Sequence, residues 1–170
     1  MLFRYVFSNN NGCCHDDEAS LKTLTLAQLD KSYPATAWTQ VFTDGSAENA
    51  ARNGGCRIYI RQPNKPPITI AIPGEDLCSN YRAEAQALLT ATETVTQLET
   101  RPKKVVLLTD SLSVLQSLAS GNPEDYTLRN LIHYKYNKST SNAEDEDYES
   151  YIIHHSNIIK YHWSKALLVT

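Results

Sequence analysis

The chain has no apolar stretch long enough to cross a membrane. Its one apolar opening, Met1 to Phe7, is short and interrupted by Arg4, so it supports neither a spanning helix nor a secretion signal. Cysteine is sparse: Cys13, Cys14, Cys56 and Cys78 are the four, and none stands in C-x-x-C spacing. That pattern gives no disulfide framework, and reduced thiols in a cytoplasmic or nuclear, non-secreted protein are the expected state. Without secretion the single Asn137-Lys138-Ser139 triplet carries no weight as a glycosylation site. His154, His155 and His162 lack the cysteine partners or paired helical spacing that zinc would need. Positive charge is not in excess either. Lys and Arg number 16 against 19 Asp and Glu, a net charge of -3, and from Ala35 to His133 nine cations face ten anions, or −1. Binding to a polyanion by charge alone is excluded, because proteins that do so are strongly basic.

What is present is enough apolar material, 41% of 170 residues, for one core. Residues 1–34 read as a poorly ordered leader, polar in Ser8 to Gly12 and acidic in Asp16 to Glu18, with a short helix possible over Leu21 to Leu29. Pro34 marks the expected start of a domain covering 35–136. From Trp38 the pattern is strand, loop, strand, strand: Cys56 to Gln62 is β-rich, and Ile68 to Ile72 follows a Pro-rich turn. A helical pattern over Ser79 to Glu99 then leads to the apolar run Val105 to Thr109, and such a crossover places its strands parallel. The predicted class is α/β, a mixed sheet with an antiparallel three-strand meander plus parallel strands, flanked by helices. After His133 composition shifts to Tyr, Asn, Ser and His around an acidic run, Glu144 to Asp147, so 137–170 is expected to be a divergent, partly disordered tail in which Tyr151 to Ile153 adds at most an edge strand.

The chemistry is carried by three carboxylates. Val41-Phe42-Thr43-Asp44-Gly45-Ser46 ends an apolar strand on an aspartate, which projects from a rigid edge; Asp-Gly is also a common hairpin signal. Glu84 opens a helical stripe with Ala87, Leu88, Ala91, Val95 and Leu98, at steps of three, four, seven, eleven and fourteen. A carboxylate on an apolar stripe must be neutralised, bound to a cation, paired (with Arg82, for instance) or left at a wet edge. Val105 to Thr109 ends, like the first strand, on Thr-Asp, although Asp110 or Ser111 would also serve as a helix cap for Leu112 to Ala119. Two strands with the same ending and a glutamate between them would bring three anions to one end of one sheet. They would repel unless a cation lay among them, and oxygen ligands alone favour Mg2+ or Mn2+ over zinc.

The strings FTDGSAENAARNGG, SNYRAEAQALL and LLTDSLSVL resemble, in order and spacing, the first three motifs of the ribonuclease H family, in the form found at the end of non-LTR retrotransposon polyproteins. The likeness covers Trp38 to Leu131. It implies a ribonuclease H-like fold and hydrolysis of the RNA strand of RNA/DNA hybrids by two Mg2+ ions, with Mn2+ as a possible substitute. Asp44, Glu84 and Asp110 stand where the family keeps its metal-binding, catalytic carboxylates. Gly45, Ser46, Asn80 and Ser111 stand at positions resembling its substrate contacts. A reverse transcriptase domain in a parent polyprotein is the implied partner, and no membrane is involved. Three departures accompany the likeness: Arg57 where a small residue is usual, Leu112 where a polar contact is usual, and no recognisable fourth aspartate or Gly-His loop after His133. The C-terminal part is therefore expected to be incomplete. Asp145 or Asp147 would have to replace the fourth carboxylate, and His154 or His155 the mobile histidine. The alternative is a catalytically inactive retroelement relic or non-catalytic nucleic-acid-binding fragment. A phosphotransferase of the actin-like kind would need a second domain that 170 residues do not provide.

Overall fold

The computed structural model describes residues 3–6, 18–49, 52–120, 126, 127, 130 and 149–154. Among them are six strands and three helices. In chain order these are β1 (Phe3–Val6), α1 (Glu18–Ser32), β2 (Thr39–Glu48), β3 (Arg52–Arg61), β4 (Ile68–Pro73), α2 (Asn80–Gln97), β5 (Lys104–Thr109), α3 (Leu112–Ala119) and β6 (Glu149–His154). The strands form one sheet in the order β1-β6-β5-β2-β3-β4. β2, β3 and β4 are the antiparallel meander, and β2, β5, β6 and β1 pair parallel, as the mixed-sheet reading requires.

β2 and β5 lie at the centre and are buried on both faces, which explains their unbroken apolar runs. Side chains alternate in direction along a strand. Val41, Ile58, Ile60, Val105 and Leu107 therefore meet α2 and α3, while Phe42, Val106 and Leu108 form a second cluster on the other face. The stripe counted from Glu84 is borne out, since Ala87, Leu88, Ala91 and Val95 are buried with it. α2 starts on Ser79, whose hydroxyl accepts from the Arg82 N–H at 3.2 Å.

Two boundaries and one strand position differ from expectation. The stretch read as a leader contributes α1, whose Leu29 is 3% exposed and packs with Leu26 and Tyr33 against Trp38 and Phe42. Large apolar residues on the second face of β2 and β5 need a cover, and α1 supplies it ahead of Pro34. Its end is pinned by Gln40 Nε2 donating to Tyr33 O at 2.8 Å and by the edge-to-face contact of Tyr33 with Trp38, 4.9 Å between centroids. The sheet also does not stop at residue 136. β6 pairs in register with β5 from Lys104 beside Glu149 to Thr109 beside His154, and buries Ile152 in the main core. Nor is β6 an edge, because β1 pairs along its outer side from Phe3 beside Ser150 to Val6 beside Ile153. Cys56 and Cys78 are buried free thiols. Cys13, Cys14, Asp145, Asp147 and His155 fall outside the described residues.

Candidate metal centre

The repeated Thr-Asp ending has a structural cause. β2 and β5 run parallel with Phe42 beside Leu108, so two residues further along each strand Asp44 and Asp110 emerge at the same end of the sheet. Both threonines between are fully buried and tie the strands where they part. Thr43 Oγ1 donates to Leu108 O at 3.1 Å, and Thr109 Oγ1 accepts from the Ser111 N–H at 3.2 Å, which launches α3. The alternatives for the two aspartates fail on this geometry. Asp44 and Gly45 are not in a turn, since they pair with Arg57 and Cys56 in a ladder that continues beyond them. The N-cap of α3 is Ser111, and its hydroxyl makes no cap bond.

Glu84 is brought in by the close approach of α2 to β2. A Cβ on Gly45 would stand 2.3 Å from the Glu84 nitrogen and 2.4 Å from the Ala83 carbonyl carbon, so only glycine permits the approach. The helix then clamps the strand twice. Glu84 Oε1 accepts from the Gly45 N–H at 3.0 Å, and Asn80 Oδ1 accepts from the Ala47 N–H at 2.7 Å. Four residues of helix rise about 6 Å and two residues of strand about 6.6 Å, so the two bonds match in pitch. Arg82 does not neutralise Glu84; its guanidinium pairs with exposed Glu75 at 3.2 Å.

The three carboxylates of Asp44, Glu84 and Asp110 each offer an oxygen within 4.8 Å of the others. Oxygens across one octahedral Mg2+ stand about 4.2 Å apart, so the set is only slightly open for such an ion. Glu84 is 6% exposed, and its second oxygen, Oε2, is buried with no donor. Burial pushes its carboxyl up to about 9, with the nearby Asp110 adding to the shift by repulsion and by a proton the two can share, and Asp44 adding less; the Gly45 N–H pulls the other way. Asp44 is also raised, first by burial and then by Asp110, while Arg57 lowers it. A buried acceptor without a donor, among oxygens that repel one another, fits a hard divalent cation.

The remaining sequence candidates lie around this trio. Gly45 is the contact point of α2. Ser46 is exposed beside Asp44. Asn80, at the first turn of α2, acts as a strand clamp. Ser111 Oγ lies 3.3 Å from Ser113 Oγ. Leu112 is 42% exposed at the start of α3. His154 ends β6 beside Thr109, at the carboxylate end of the sheet. Sequence reading treated Arg57 only as a departure. The structure makes it the cross-strand partner of Asp44, a pairing that becomes visible only once the β2–β3 register is known.

The family model of RNase H matches residues 36–166. The chain belongs to the RNase H family. Solved structures agree with this RNase H fold. RNase H1 from the halophilic archaeon Halobacterium salinarum NRC-1 is similar with a TM-score of 0.54 and 17% identity over 76% of this chain and 93% of that one. LC11-RNase H1 in complex with RNA/DNA hybrid gives 0.54 and 15% over 76% and 99%. The N-terminal RNase H domain of Rv2228c from Mycobacterium tuberculosis gives 0.51 and 14% over 73% and 92%. At such identities the likeness speaks to the fold alone. No curated protein matches the chain. The family match runs through the stretch expected to be a divergent tail, in keeping with the place of β6 in the sheet.

Proposed function

We propose that this RNase H domain hydrolyses the RNA strand of RNA/DNA hybrids endonucleolytically, with a pair of Mg2+ ions, or Mn2+ in their place, held by Asp44, Glu84 and Asp110. The observation that carries the reading is the convergence of three carboxylates, each with an oxygen within 4.8 Å of the others, around a Glu84 that is buried. Bound there, the metal supplies an activated water and charge neutralisation at the scissile phosphate. The chain's own part is to set the donors in place. Asp44 is held inside the β2–β3 ladder, Asp110 directly follows the end of β5, and the Gly45 N–H orients Glu84. Ser46 and Ser111 offer exposed or half-exposed hydroxyls near the trio for sugar-phosphate contacts, with Asn80 steadying the β2 edge. Substrate choice is supported by a neighbour of the same fold captured with RNA/DNA hybrid, and the 2′-hydroxyls of the RNA strand are what tell it from DNA.

Three finer points belong to the same proposal. Activity is weaker than a four-carboxylate centre would give, because no fourth aspartate is recognisable in the sequence. The motif strings support an origin in a non-LTR retrotransposon polyprotein, alongside a reverse transcriptase domain. Buried, unpaired thiols at Cys56 and Cys78 support a cytoplasmic or nuclear location, where thiols stay reduced. The test is cleavage of an end-labelled RNA/DNA hybrid. Wild type should cut with Mg2+ or Mn2+ and not with EDTA, and Asp44→Asn should lose at least a hundredfold in rate, on the order of what charge-stabilising groups contribute. Cleavage unchanged in Asp44→Asn would remove Asp44 from the centre. Hybrid binding without turnover by wild type would instead favour the inactive relic.

A further inference from the structure

β3 puts a cation where the first carboxylate of the metal centre stands. Arg57 is directly opposite Asp44 in the β2–β3 ladder, and residues so opposed in an antiparallel pair carry their side chains on the same face, with Cβ atoms about 5 Å apart. Alternation fixes which face this is. Ile58 and Ile60 pack under α2, so Arg57 lies on the other face with Asp44, and it is exposed. Both residues line a single cavity of about 390 Å3 that also includes the exposed Ser46. A guanidinium and a carboxylate set opposite one another on one face, at the wall of one cavity, attract one another across it.

We propose that Arg57 is a phosphate-binding residue of this site, and that metal and nucleic acid compete with each other's counter-charge through it. While Asp44 is without a metal, Arg57 serves as its counter-ion and opposes the arrival of a divalent cation. Once a cation engages Asp44, the planar fork of the guanidinium can turn to a phosphodiester oxygen of the RNA strand, a group whose geometry it matches. Metal and hybrid binding are thereby coupled, each favouring the other by the same factor. The inference rests on the hydrolase reading above for the identity of its substrate. It does not require turnover.

The test uses the full chain as wild type, Arg57→Gln and Arg57→Lys. Mg2+ affinity is measured by titration calorimetry without nucleic acid. Hybrid binding is measured by fluorescence anisotropy with Ca2+ in place of Mg2+, across 50 to 200 mM salt (roughly the range over which phosphate contacts are resolved). Arg57→Gln should bind Mg2+ about tenfold tighter, the effect of removing a unit charge a few ångströms from a divalent ion in a water-like medium. The same variant should lose about one in the slope of log K against log salt, the signature of one phosphate contact. Arg57→Lys should keep both the wild-type Mg2+ affinity and the wild-type slope. If Arg57→Gln leaves Mg2+ affinity and salt slope unchanged, the proposal is overturned. It is equally overturned if Arg57→Gln and Arg57→Lys lose Mg2+ and hybrid binding alike, since that marks a structural residue. A wild type that binds both ligands with the predicted Arg57 effects yet never cuts leaves this proposal standing and fells the hydrolase reading alone.

Discussion

Replacing Glu84 by glutamine separates the cost of the site from the stability of the fold. Burial and the facing Asp110 raise the Glu84 carboxyl from 4.5 to about 9. Between those values the folded chain binds more protons than the unfolded one, so stability is greatest below the lower value and declines as pH rises through the window. Neutral pH lies about 2.5 pH steps above the ordinary value, each worth about 1.36 kcal/mol. The carboxyl therefore costs the metal-free fold on the order of 3 kcal/mol at pH 7 and almost nothing at pH 4. Glutamine keeps an oxygen for the Gly45 N–H and places a donor where Oε2 has none. Without metal, Glu84→Gln should melt roughly 6–12 °C above wild type at pH 7, and level with it at pH 4. Mg2+ should stabilise wild type and leave the variant where it was. Thermal and urea unfolding in EDTA at the two pH values measures this directly. Equal stability of the two proteins at pH 7 would mean that Glu84 is not a buried carboxyl held against its neighbours, and the electrostatic reasoning would fail.

Two further substitutions probe how the site is built. Gly45→Ala drives a methyl into the backbone of α2 rather than into a flexible side chain; it should cost about 1–3 kcal/mol or more in urea unfolding and weaken Mg2+ binding with it, because Glu84 moves with the helix. Ile152→Ala removes a residue that is 1% exposed in the main core and should cost about 2–5 kcal/mol. A loss under half a kcal/mol there would return β6 to the status of an appended tail.

The convergence of Asp44, Glu84 and Asp110 was legible in the sequence because each member broke a local rule. Glu84 put a carboxylate on an apolar stripe, and Asp44 and Asp110 repeated one apolar-run-to-Thr-Asp pattern sixty-six positions apart. The meander and the α2 crossover were legible for the same kind of reason, since two periodicities and a few turns dictated them. Other features depended on pairings that no linear pattern carries. Arg57 looked like an ill-fitting strand residue until the ladder set it beside Asp44. Asn80 looked like a substrate contact, and the fold uses its carbonyl oxygen to hold Ala47. α1 was underestimated because the sequence before Pro34 shows no regular apolar stripe; the demand for it came from Phe42, Val106 and Leu108 across the sheet. The insertion of β6 between β5 and β1 is likewise a property of strand order, to which the short run Tyr151 to Ile153 gives no clue.

The central claim is that Asp44, Glu84 and Asp110 bind a divalent cation together. Titrating Mn2+ into the metal-free chain, with free ion followed by electron paramagnetic resonance, tests it most directly. Wild type should take up Mn2+ with release of protons from the trio, and Mg2+ should displace it, while Asp44→Asn and Asp110→Asn should each weaken uptake strongly. Uptake equal in all three proteins, or none in wild type, would contradict the account.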